Sequence, residues 1–104
     1  MLFDQGTPVP LRQFLSGHSV VTAYELGWST LKNGDLLRSA EEGGFEVLVT
    51  TDSNLRYQQN LASRRIAVIV LSTTSWPRIR AASERVAAAV DAMSTGSYAE
   101  VVIP

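Results

Sequence analysis

Four carboxylates in this sequence stand at the borders between apolar and polar segments. Asp4 follows Leu2-Phe3, Glu25 ends the run that starts at Ser19, Asp35 precedes Leu36-Leu37, and Asp52 follows Phe45 to Thr51 with Thr50 two residues before it. Gathered in one pocket, such acids repel one another and raise at least one pKa unless a cation neutralises them. Mg²⁺ or Mn²⁺ is the natural remedy, because hard divalent ions prefer carboxylate and water oxygens. An ion held this way activates a water and offsets charge on a phosphoryl oxygen, which points to phosphodiester chemistry. Taken singly, each acid reads equally well as a helix cap, and Asp35 and Asp52 both suit that role.

Other chemistries have little to work with. The chain has no cysteine, so disulfides, thiolate catalysis and cysteine-ligated zinc are excluded. One histidine, His18, leaves a Ser-His-Asp or histidine-rich metal mechanism almost without parts. It precedes a candidate strand, at the edge away from the acids, and reads as structural or exposed.

The acids become neighbours only if strands align them. Phe45 to Thr51 and Ile66 to Ser72 are short, β-branched, nearly continuous apolar runs, as in parallel strands covered on both faces. Leu2 to Asp4, Ser19 to Glu25 and Ala99 to Ile103 are three further strand candidates. Between them, Thr7 and Pro8 suit the start of a short helix through Leu15 with Gly17 beyond it. Asn33 or Asp35 caps a helix to Glu42, ended by Gly43 and Gly44. Ser53 or Asn54 opens another through Ala62. Across Pro77 to Met93, Ile79, Ala82, Val86, Ala89, Val90 and Met93 recur at helical spacing. This alternation predicts an α/β fold, a three-layer α/β/α sandwich on a mostly parallel sheet of about five strands. The pairing direction of the last strand is open at this point. In such a sheet, ligands bind at the carboxyl ends of the strands, where three successive exits carry acids.

The same topology sorts the basic residues. Arg12, Lys32, Arg56, Arg78 and Arg80 lie near helix starts and so at the acid-bearing edge, where they could hold a phosphate backbone. Arg64 and Arg65 belong to the opposite edge. Tyr57, Trp28 or Trp76 could stack an unpaired base, although buried tryptophans usually just fill a core. Charge is uneven: seven acids and three bases lie before Ser53, against three acids and six arginines after it, so the halves carry about −4 and +3.

With 104 residues, 45% hydrophobic and 18% charged, one globular domain spanning residues 1–104 is expected. No segment approaches the roughly 18 apolar residues of a membrane span, and the start lacks a basic stretch followed by an apolar run. A cytoplasmic protein with no membrane contact is the expectation.

The segments Leu2-Phe3-Asp4-Gln5-Gly6-Thr7-Pro8, Ala23-Tyr24-Glu25-Leu26-Gly27-Trp28, Asn33-Gly34-Asp35-Leu36-Leu37 and Val47-Leu48-Val49-Thr50-Thr51-Asp52-Ser53-Asn54-Leu55 resemble the short PIN-like proteins of bacteria, related to VapC-type toxins. The likeness covers nearly the whole chain. Its most specific part is Thr50-x-Asp52 after an apolar strand together with Asp4 ending the first. The resemblance implies an α/β/α nuclease fold and a metal-dependent endoribonuclease. Three or four acids would hold Mg²⁺ or Mn²⁺, with water attacking the RNA backbone. Asp4 and Asp52 match the first and last acids, Thr50 the hydroxyl beside the latter, and Glu25 and Asp35 the middle acids less closely. The chain is shorter than a typical PIN domain around those middle acids. RNA, a cognate antitoxin and a second copy of the chain are the partners the resemblance implies.

Three other readings compete. One is a PIN-like module that binds RNA or protein without turnover. A second is a phosphoacceptor receiver-like domain, suggested by Asp4, Asp52 and Ser72-Thr73 but weakened because the lone lysine, Lys32, follows no late strand. A haloacid-dehalogenase-type phosphatase is disfavoured because Gly6, two residues beyond Asp4, is not a second acid.

Overall fold

Short β-branched runs became strands where both faces could be buried. The computed structural model describes residues 1–55 and 64–104. Five strands form one sheet in the order β2-β1-β3-β4-β5: β1 Leu2–Phe3, β2 Val21–Thr22, β3 Val47–Thr50, β4 Ala67–Leu71 and β5 Tyr98–Val101. Every pairing is parallel, β5 against β4 included. Every residue of β4 is buried, as its unbroken apolar sequence requires of a strand covered twice.

Side chains alternate between the two faces. Phe3, Val49, Ile69, Leu71 and Val101 enter one core cluster, beneath the 3₁₀ helix Val9–Phe14 and the helices α2 (Trp76–Ala81) and α3 (Ser83–Asp91). Leu2, Leu48, Val68 and Val70 enter a second cluster, beneath α1 (Asn33–Glu42), which contributes Leu36, Leu37 and Ala40. The result is the expected three-layer α/β sandwich.

Local chemistry sets the ends of these elements. At the end of α1, Phe45 N–H donates to Ala40 O and Gly44 N–H to Glu41 O, at 3.0 and 3.1 Å. Gly44 supplies the positive φ, +82°, that this Schellman closure needs. Glu41 then accepts Arg64 Nη1 at 2.8 Å and the Arg65 N–H at 3.1 Å, fastening the entry to β4 at the amino edge. The Arg64 guanidinium holds the Glu41 carboxyl below its ordinary pKa.

Two of the expected elements depart from the sequence pattern. β2 stops at Thr22 because the Thr22 hydroxyl accepts the Glu25 N–H while Glu25 Oε1 accepts the Thr22 N–H, a reciprocal cap that turns the chain away. The helix expected over Pro77–Met93 breaks at Ala82, with φ −109° and ψ 19°. Both halves lie on the 3₁₀ helix; Arg78 in α2 donates to Ile103 O and Pro104 O, and α3 also packs on β5. The helix expected from Ser53 or Asn54 through Ala62 lies largely outside the described residues. No helix among the described residues is long and apolar enough to cross a membrane.

Leu37 is fully buried between α1 and the sheet. Leu37→Ala should therefore lower the unfolding free energy by about 2–5 kcal/mol, read from urea denaturation, whereas Val102→Ala, at a position 68% exposed, should change it by about 0.5 kcal/mol or less.

Candidate functional site

In the order β2-β1-β3-β4-β5 the chain leaves β1 in one direction and returns to β3 on its other side, so a crevice opens between the carboxyl ends of β1 and β3. Asp4 follows β1 directly, Thr50 ends β3 and Asp52 lies two residues on. Phe3 stands opposite Val49, and Asp4 N–H continues the ladder to Val49 O at 3.1 Å. Asp4 and Thr50 thus fall on the same face as Leu2 and Leu48, the face that α1 covers.

A network of short polar side chains holds the two acids. Thr50 Oγ1 donates to Asp4 Oδ2 and in turn accepts the Asp52 N–H, joining both acids through one hydroxyl. Thr7 Oγ1 lies 2.8 Å from Asp4 Oδ1 and 2.9 Å from Val49 O, two acceptors for a single proton. Asp52 Oδ1 accepts the Asn54 N–H at 3.0 Å, and Asp52 Oδ2 accepts Asn33 Nδ2 at 2.6 Å. The loop after β1 also closes tightly on that after β3. A Cβ added at Gly6 would lie 2.6 Å from Thr51 Oγ1.

Burial raises the Asp4 pKa, and the hydroxyls of Thr50 and Thr7 with the N–H groups of Thr7 and Gly6 only partly offset it. This is the environment in which a cation would relieve a carboxylate. The Thr50 and Thr7 hydroxyls and the N–H groups of Thr7 and Gly6 surround the Asp4 carboxylate, while each oxygen of Asp52 accepts one hydrogen bond in the network and keeps a further lone pair. Carboxylates completed by waters are a donor set that Mg²⁺ takes. Asp4 and Asp52 are the acids that this crevice offers to such an ion.

The other expected site residues stand differently. Glu25 closes the cap on Thr22 and pairs with Arg12 at 2.9 Å; the Thr22 N–H and the Arg12 guanidinium lower its pKa. Asp35 sits in the first turn of α1, largely exposed, 3.6 Å from Arg38. Among the described residues, no three His, Asp or Glu side chains gather closely enough to hold a metal ion together. Lys32 caps α1 and is exposed beside Asn33, and Arg80 is exposed on α2. Arg12 is committed to Glu25 and Arg78 to the main chain of Ile103 and Pro104. Arg56 and Tyr57 lie outside the described residues. Trp28 packs edge-on against Phe45 and Trp76 against Phe14. His18 bonds Asp91 Oδ1 at the end of α3, 2.8 Å away, in a link apart from the acids.

Two side chains enter the network in roles other than those their sequence positions suggest. Thr7 and Asn33 read as helix caps, yet Pro8 and Lys32 occupy the cap positions while the Thr7 hydroxyl and the Asn33 amide reach Asp4 and Asp52. The only sequence signal for this was that both are short polar residues beside an acid-bearing loop.

Because its folded pKa is raised, Asp4 holds its proton to higher pH in the folded chain than in the unfolded one. Its contribution is most favourable below the ordinary carboxylate pKa and is lost as pH rises through the raised value. Asp4→Asn has an amide that can donate to Thr7 and an oxygen that accepts from Thr50, so in EDTA at neutral pH it should melt at or above the wild-type temperature. Calorimetry across pH would check this, and a lower melting temperature at neutral pH would contradict the burial penalty. In comparisons with known proteins, the chain matches no family model, no curated protein and no solved structure.

Proposed function

We propose that this chain is a Mg²⁺- or Mn²⁺-dependent endoribonuclease whose cation is held by Asp4 and Asp52. The observation that carries the reading is the burdened carboxylate of Asp4 at the β1–β3 crevice, joined to Asp52 through the Thr50 hydroxyl. The resemblance of the same segments to PIN-like proteins supports RNA as the substrate. A hard divalent cation supplies an activated water and offsets charge on the scissile phosphate. The chain's own residues do the rest: Thr50 and Thr7 orient Asp4, Asn33 and the Asn54 N–H orient Asp52, and Lys32 meets the RNA backbone. A cytoplasmic setting, a cognate antitoxin and pairing with a second copy belong to this same reading.

A second reading, a PIN-like module that binds RNA or a protein without cutting, is favoured by one observation. Glu25 and Asp35, the middle acids of the resemblance, have other partners in Thr22, Arg12 and Arg38.

One assay separates the two. Purified protein is incubated with labelled RNA in Mn²⁺ or in EDTA, with cleavage and gel shift read side by side. The nuclease reading expects Mn²⁺-dependent cleavage that falls by about 100-fold or more in Asp4→Asn and Asp52→Asn, the scale of a lost metal contribution of ~3 kcal/mol. A shift without turnover would establish the binding module instead. Cleavage that survives in the double variant would reject this site.

A further inference from the structure

We infer that Tyr24 is the base-stacking residue of this site, gripping a nucleobase next to the phosphate that the cation proposed at Asp4 and Asp52 would meet; the inference rests on the ribonuclease reading. Tyr24 begins where β2 meets β1, with Ala23 N–H donating to Phe3 O at 2.8 Å, so it stands one strand over from Asp4 at the carboxyl edge. It is 77% exposed, the most exposed large hydrophobic side chain among the described residues. Of the aromatics expected in this role, Trp28 and Trp76 have a ring partner each and are half-buried, and Tyr57 lies outside the described residues.

The base beneath Tyr24 is rigid. Ala23 is 1% exposed, and the Thr22–Glu25 reciprocal cap locks the turn from one side. From the other, Trp28 N–H donates to Ala23 O at 2.8 Å and Gly27 N–H to Tyr24 O at 3.0 Å, with Gly27 at φ +74°. A large flat ring presented to water on an anchored turn loses little freedom when a base stacks on it. Every nucleobase has a π face, so this contact adds affinity with little choice of sequence. Lys32, exposed at the start of α1, supplies charge that follows the backbone instead.

The two contributions separate experimentally. Fluorescence anisotropy measures binding of an unstructured oligoribonucleotide of about 12 nucleotides, and of an abasic strand of the same length, to the full chain. Tyr24→Ala should weaken binding of the base-bearing strand about tenfold and leave the abasic strand unchanged, whereas Tyr24→Phe and Tyr24→Trp should bind it within about twofold of wild type. Lys32→Ala should weaken both strands alike and lower the salt dependence. Equal affinity of Tyr24→Ala and wild type for the base-bearing strand would overturn the role of Tyr24 alone. So would an equal loss on both strands. If wild type binds neither strand, the ribonuclease reading falls and this inference with it.

Discussion

Leu2 lies opposite Leu48 and Phe3 opposite Val49, and the meeting of Asp4 with Thr50 follows from that register. Side chains on a strand alternate with a period of two, so a slip of one residue between β1 and β3 would exchange their faces. The Thr50 hydroxyl would then point away from Asp4, and the link to Asp52 would open. Two apolar pairs at the centre of the sheet therefore position polar groups that contribute little to the core themselves. β1 is only two residues long and paired on both sides, which makes its register dependent on β2 and β3 together.

The crevice is where the fold tolerates unfavourable energy. A carboxylate taken from water costs more than its hydroxyl partners return, and Thr7 has one proton for two acceptors. Away from it, the polar contacts are conservative. Glu41 with Arg64 and Arg65 fastens the amino edge, and Ser72 Oγ accepts the Ile103 N–H at 2.7 Å to hold the chain beyond β5. That engagement also weighs against a receiver-like use of Ser72. Stability is thus concentrated in two apolar clusters and the opposite edge, leaving the crevice free to hold groups chosen for chemistry.

Much of the architecture was legible in the chain because apolar runs report burial directly. The unbroken run through Ala67–Leu71 and the Gly43-Gly44 stop after α1 each marked an element that the structure contains. What sequence could not settle were choices between competing partners. Glu25 is committed by Thr22, three residues away, and by Arg12, thirteen away; Asp52 is held by Asn33, nineteen away. Residue type says that an acid can cap, pair or ligate, but only the packed register decides which partner arrives. The break at Ala82 is of the same kind, since the helical periodicity continues through it while α3, beyond the break, settles on β5.

The close approach of Gly6 to Thr51 bears on how this crevice can drift between sequences. A methyl at position 6 meets the Thr51 hydroxyl well inside van der Waals contact, so the Thr51 side chain must first rotate or give up its oxygen. The two positions are therefore coupled: a larger residue at 6 is accommodated by rotation of the Thr51 side chain or by a smaller residue at 51. The crevice thus ties the size of a residue in the loop after β1 to the side chain in the loop after β3, a dependence between sites 45 residues apart in the chain.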